Sequence, residues 1–129
     1  MSATGSVRVM LVEDHTAFRQ ALVFLLGHDP DFEVVAQAGS LAEAREALDG
    51  PLDGHLDVAV IDLGLPDGDG RELIDELRRR NPDVSVLVLS ATVEAGRLGE
   101  VLKAGADAVL EKVEAPQAIA YEVRRLASG

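Results

Sequence analysis

Five short apolar runs punctuate this chain of 129 residues, and their failure to alternate is what most restricts its fold. Residues 7–12, 34–37, 58–61, 84–89 and 107–110 are rich in Val, Leu and Ala at consecutive positions. Successive side chains of a strand point to opposite faces, so a strand with one wet face alternates apolar and polar residues. Consecutive apolar residues predict strands covered on both faces, as in a parallel sheet. The segments between the runs carry helical spacing instead: Phe18, Leu22, Leu25 and Leu26; Leu41, Ala44 and Leu48; Leu73, Ile74 and Leu77; Val101 and Leu102; Ile119, Val123 and Leu126. Strand and helix alternate five times, which predicts a single doubly wound α/β domain with right-handed crossovers.

The punctuation agrees with this reading. Gly39-Ser40 opens the second helix, Asn81-Pro82 ends the third and Gly105 follows the fourth. Pro116 suits the first turn of the last helix, where its missing N–H costs nothing. The stretch 92–104, read as the fourth helix, carries Gly96 and Gly99 in its interior, each costing roughly 0.8–1 kcal/mol relative to Ala. Residues 1–6 are expected to form a loose tail, and 7–127 the domain.

Composition removes several classes of function. With 23 acidic against 12 basic residues the formal charge is −11, which repels nucleic-acid backbones and anionic membranes. Hydrophobic residues make up 47%, yet no stretch approaches the roughly 18 apolar residues of a membrane span. "MSATGS" lacks the basic and apolar regions of a secretory signal and cysteine is absent, so a cytoplasmic protein is expected.

In open parallel sheets, ligands sit outside the carboxyl ends of the strands. Here the first strand ends in Glu13-Asp14, the third in Asp62, the fourth in Ser90 and the fifth in Lys112. Each has an ordinary structural reading: Asp14 as a helix N-cap, Asp62 as the opening of the turn "DLGLPDGDG", Ser90 as a cap of the fourth helix, Lys112 as a solvated cation. Four such coincidences at four strand ends are far less expected than one. Only Lys103 and Lys112 among the 12 basic residues are Lys, which points to a compact point charge at the fifth strand end. Carboxylates gathered together repel unless a hard cation sits among them, and Mg²⁺, with its preference for carboxylate and phosphate oxygens, suits Glu13, Asp14 and Asp62.

The combination "VEDH", "VIDLGLPDGDG", "VLVLSA" and "GADAVLEK" resembles the receiver domain of two-component response regulators over residues 7–127. "EDHTAFRQAL" and "DFEVVAQAGS" resemble the NarL/FixJ subfamily, whose members usually carry a C-terminal helix-turn-helix domain; none is expected within this chain. The resemblance implies a flavodoxin-like five-stranded sheet in the order 2-1-3-4-5 with five helices. It implies that Asp62 accepts a phosphoryl group from the phosphohistidine of a sensor histidine kinase. Glu13, Asp14, Asp62 and the backbone carbonyl of Gly64 would hold Mg²⁺, Lys112 would pair with the phosphoryl oxygens, and Ser90 would bond to the group once formed. Gly64 and Thr92 would flank the approach of hydrolytic water. The readout would be the face of helix four, strand five and helix five, with a homodimer formed on phosphorylation. A signalling domain is thus expected, not an enzyme. The departures are Val109, where receivers often have Tyr or Phe, and Val113, where many have a proline that is often cis.

Rival readings meet specific objections. A flavin carrier of this architecture would place its phosphate against Glu13-Asp14, which repel it. An aspartyl phosphatase wants a second acid two residues after Asp62, where Gly64 stands. "DGDG" at 67–70 hints at a calcium loop, but its alternate oxygen ligands fail at Arg71. A phosphorylation-independent interaction module of the same fold has no need of Asp62, Ser90 and Lys112 together.

Overall fold

The computed structural model describes residues 6–50, 55–91, 95–112 and 116–128. Its elements in chain order are β1 (Val7–Val12), α1 (Thr16–Gly27), β2 (Phe32–Ala38), α2 (Leu41–Asp49), β3 (Val58–Asp62), β4 (Gly64–Leu65), β5 (Gly68–Asp69), α3 (Glu72–Arg80), β6 (Ser85–Ser90), α4 (Ala95–Lys103), β7 (Ala108–Glu111) and α5 (Pro116–Ser128). The five long strands form one parallel sheet in the order β2-β1-β3-β6-β7. This is the doubly wound arrangement expected from the alternation of runs, in the flavodoxin-like order that the resemblance implies. One feature was not anticipated: β4 and β5 pair as a two-stranded antiparallel ribbon within the turn after Asp62. Of the fourth helix expected over 92–104, the described part is Ala95–Lys103, and residues 92–94 lie outside the described residues.

The absence of alternation in the strands has a direct cause in the packing. Met10, Val12, Ala59, Ile61, Val86 and Val88 face a core with Leu41 and Ala44 of α2, Leu73, Ile74 and Leu77 of α3 and Val101 of α4. Their neighbours Val9, Leu11, Val58, Val60, Leu87 and Leu89 face the opposite core with Leu22 and Leu26 of α1 and Ile119 and Val123 of α5. Consecutive residues thus enter different cores, and both cores are apolar. Burial of each Val, Leu, Ile or Met side chain among these contributes roughly 1.5–3 kcal/mol. No helix among the described residues is long and apolar enough to cross a membrane.

Polar side chains fasten the helices at their ends. Ser40 is the N-cap of α2: its hydroxyl accepts from the Glu43 N–H at 3.1 Å, while the Glu43 carboxylate accepts from the Gly39 N–H at 2.6 Å. Asp67, read in the sequence as part of a weak calcium loop, instead reaches across to the same helix start. Its two carboxylate oxygens accept from Leu41 N (2.7 Å) and Ala42 N (3.0 Å), and these bonds hold its carboxyl below the ordinary aspartate value. At the end of α3 the buried Asn81 accepts from Leu56 N at 2.9 Å. Arg78 donates to the carbonyls of Val84 and Gly105 and to the carboxylate of Asp107, joining α3 to the turns that enter β6 and β7.

Two glycines place opposite demands on the backbone. A Cβ on Gly70 would overlap the carbonyl oxygen of Asp62 and lie 2.8 Å from Ile61 Cγ2, so the turn after β3 closes only because residue 70 has no side chain. Gly99 on α4 has open space where a Cβ would stand. Gly99→Ala should therefore stabilise the domain by about 0.8–1 kcal/mol through helix propensity alone. Gly70→Ala should destabilise it by about 1–3 kcal/mol, the usual range for forced overpacking. Urea unfolding of the two variants measures both signs.

Candidate functional site

The order of the sheet reverses beside β1, whose neighbours are β2 on one side and β3 on the other. The loops leaving β1 and β3 diverge there and leave a crevice at the carboxyl ends. Glu13 extends β1 by one residue, its N–H bonded to Ala38 O at 2.8 Å, which draws its side chain inward to 1% exposure. Asp14 comes next and is exposed. Asp62 is the last residue of β3 and 3% exposed. Ser90 closes β6, and its carbonyl accepts from the Lys112 N–H at 2.8 Å, which sets Lys112 immediately beyond β7. All five residues singled out at the strand ends therefore meet. Asp14, Asp62, Ser90, Lys112, His15 and Gly64 line one cleft, with Leu63 and Ala91 at its edges.

Their contacts bear on the structural readings of these residues. His15, not Asp14, is the N-cap residue of α1, and no side chain caps that helix. Ser90 is the last residue of β6 and lines the cleft, and residues 92–94, on which its reading as a cap of the fourth helix depends, lie outside the described residues. Lys112 is no solvated cation: its Nζ donates to Glu13 Oε2 at 3.0 Å and to Asp62 Oδ2 at 3.2 Å. Asp62 does open the turn, since its Oδ1 accepts from the Gly64 N–H at 3.0 Å. Both of its oxygens are thereby oriented, one by a cation and one by a backbone dipole.

The electrostatics follow from burial. Loss of water pushes the Glu13 carboxyl above its ordinary 4.5; the nearby Asp62 adds to this, while the His15 N–H and the Lys112 ammonium pull against it. Burial also opposes the charge of Lys112, yet its bonds to Glu13 and Asp62 prevail and hold its pKa above 10.5. Glu13, Asp14 and Asp62 each offer an oxygen within 4.8 Å of the others. Glu13 Oε1 is buried without a hydrogen-bond partner among the described residues. Three carboxylates against one ammonium, with one oxygen left without a donor, is a donor set that a hard, oxygen-seeking divalent cation fits.

Thr92 and Val113 lie outside the described residues. Val109 stands away from the cleft: it pairs with Val88 and packs, half-buried, against the core beneath α2, α3 and α4. Two contributors escaped the sequence reading. Arg19 donates to the Glu13 carbonyl at 2.6 Å, fixing the β1–α1 turn. Phe18, assigned from its spacing to the core, also sets its ring 5.4 Å from Lys112 Nζ. Nothing local in the sequence marks either contact, because each depends on how α1 lies across the strand ends.

The raised Glu13 pKa has a testable consequence for stability. A carboxyl that titrates higher in the folded chain than in the unfolded one contributes stability below about pH 4.5 and loses it as pH rises through the folded value. Near neutral pH the metal-free fold thus carries a costly charge. Glu13→Gln should raise its thermal midpoint there, with the gain fading as pH falls toward about 4.5. Melts followed by circular dichroism across that range measure it; a variant less stable than the parent throughout would mean that the bond to Lys112 outweighs the desolvation.

Comparison with known proteins agrees with the geometry. The model of the response regulator receiver domain matches residues 9–124. The DNA-binding transcriptional activator DevR/DosR of Mycobacterium tuberculosis is 38% identical over 123 residues, covering 95% of this chain and 55% of that protein. The chain thus spans about half the length of this relative. Among solved structures, the signal receiver domain of NarL from Mycobacterium tuberculosis superposes with a TM-score of 0.83 at 31% identity, covering 96% of this chain and 98% of that one. A response regulator from Burkholderia pseudomallei, solved with a phosphorylated aspartic acid, calcium ion and citrate, gives 0.79 at 26% identity, covering 95% and 69%. Sequence, topology and the arrangement of strand-end residues converge, and the chain belongs to the response regulator receiver domain family.

Proposed function

We propose that this chain takes a phosphoryl group onto Asp62 from the phosphohistidine of a sensor histidine kinase and passes the change to a DNA-binding output. The observation that carries the reading is the state of Asp62: buried at a cleft floor, with one oxygen held by Lys112 and the other by the Gly64 N–H. A carboxylate so oriented is placed for in-line attack and cannot rotate away from an incoming group. In the transfer, an Asp62 oxygen forms a bond to phosphorus as the bond from phosphorus to the donor imidazole nitrogen breaks. The bonding pair leaves with that nitrogen.

Glu13, Asp14 and Asp62, with the Gly64 carbonyl, would hold Mg²⁺. The ion supplies charge neutralisation on the transferring group. Lys112 supplies a second cation, already within 3.2 Å of the accepting carboxylate. The Ser90 hydroxyl, at the end of the neighbouring strand, bonds to the aspartyl phosphate and draws the start of the β6–α4 connection inward. Phosphorylation of this kind adds charge and strong acceptors at one point and is read at a distance. The readout face is α4, β7 and α5, on which two phosphorylated copies pair. The Burkholderia pseudomallei relative, with its phosphorylated aspartic acid, supports the acceptor role. The description of DevR/DosR as a DNA-binding transcriptional activator supports the output. A cytoplasmic setting follows from a kinase donor and a gene-regulating output.

Incubation with Mg²⁺ and acetyl phosphate should add one phosphoryl group by mass, and Asp62→Asn should take up none while unfolding at a similar temperature. Equal labelling of the variant would remove Asp62 as the acceptor. The lifetime of the product has its own control. A Cβ at Gly64 would stand 3.9 Å from Asp62 Oδ1, so a polar side chain there overhangs the site of hydrolysis. Gly64→Asn and Gly64→Glu should change the dephosphorylation rate several-fold and leave Mg²⁺ affinity nearly unaltered, since the ligand at this position is backbone. Parallel decay curves and Mg²⁺ titrations would distinguish the two effects.

A further inference from the structure

Lys112 is held from three directions. Glu13 and Asp62 take two of its ammonium protons, and the Phe18 ring lies beneath it with the centroid 5.4 Å from Nζ. That distance is within the range over which an aromatic face attracts a cation. Phe18 belongs to the first turns of α1 and is half-buried, packed on the core formed with α5. Its other contact faces the cleft: the His15 ring stacks on it with centroids 6.5 Å apart and planes inclined by 13°. His15 in turn donates its backbone N–H to Glu13 Oε2, the same oxygen that receives Lys112. The Lys112 side chain is only 20% exposed, and the Phe18 ring face is one of the groups beside its ammonium.

A lysine is a flexible four-carbon stem with a freely turning head, and it delivers a cation to one oxygen only if its surroundings narrow its rotamers. The carboxylates alone do not complete this, because one of them is the group to be modified. When Asp62 gives an oxygen to phosphorus, the bond from Lys112 must transfer to the phosphoryl group while the ammonium stays in place. A ring face attracts the cation without a directional bond and permits that small shift.

We propose that Phe18 is a positioning residue for phosphoryl transfer: its ring holds the Lys112 ammonium at the Asp62 carboxylate and excludes water from it. The inference rests on the acceptor role of Asp62, and the two are tested apart. Phe18→Leu keeps apolar volume without the aromatic face. With Mg²⁺ and acetyl phosphate it should be phosphorylated several-fold more slowly than the parent, and Phe18→Tyr should restore the rate. Mg²⁺ affinity should stay the same in all three. The two lysines supply a signal for placement itself, since labelled with ¹⁵N they give two ammonium resonances, with the exposed Lys103 as internal reference. Hydrogen exchange of the Lys112 ammonium should quicken in Phe18→Leu and not in Phe18→Tyr, while that of Lys103 is unaltered. Incorporation of pentafluorophenylalanine at position 18, which reverses the sign of the ring face at nearly constant shape, should act as Phe18→Leu does and decides the matter if the leucine variant fails to fold. Phosphorylation and Lys112 exchange at parental rates in the pentafluoro protein overturn the inference. If the parent itself takes up no phosphoryl group, the acceptor reading falls, and the exchange measurement alone then judges whether Phe18 holds Lys112.

Discussion

A parallel sheet buried on both faces leaves a protein little room for polar chemistry. Between Val9 and Val12, Val58 and Ile61, and Val86 and Leu89, each side chain enters one of two apolar cores. A charge placed there would cost several kcal/mol without a partner. The polar groups Glu13, Asp62 and Ser90 appear one residue later, where the strands leave the sandwich. Because neighbouring strands run parallel and in register, their ends fall at a common level. Asp62 pairs with Leu89, and Ser90 with Glu111, so the last residues of three strands meet by construction.

That gathering creates its own difficulty, which the site resolves unevenly. Two like charges about 4 Å apart repel by roughly 4 kcal/mol at an effective dielectric near 20. Whole domains are stable by only about 5–15 kcal/mol. Lys112 answers part of the repulsion by bonding to Glu13 and Asp62 together. Asp14 remains outside that bond, exposed at the rim, and Glu13 keeps one buried oxygen without a donor. The residual negative charge is what the proposed Mg²⁺ would neutralise.

The same loop that carries Asp62 also reaches outward. Gly70 packs against the Asp62 carbonyl, and Arg71 follows directly. Arg71 bonds to Asp69 and, at 3.2 Å, to Glu100 on α4. Arg78, farther along α3, grips the turn between α4 and β7 through Gly105 and Asp107. The turn after Asp62 and α4 are thereby fastened together through α3 and its entry. Val109 packs into the core and presents no large ring at the cleft.

Much of this was legible before any coordinates. The unbroken apolar runs forced a two-sided sheet, the helical spacing supplied its covers, and the caps at Ser40, Asn81 and Pro116 fell where their local chemistry requires. The residues at the strand ends followed from those runs by position alone, because where an apolar run stops is a property of sequence. What tertiary structure alone decided are the contacts made between segments distant in the chain. Asp67 caps a helix that begins 26 residues earlier, and Lys112 meets Glu13 across 99 residues. Phe18 serves the core and the Lys112 cation at once. Periodicity records which face of an element is buried, but the partner of a polar group depends on how the elements are stacked, and stacking is set by the sum of two cores, which no short stretch of sequence contains.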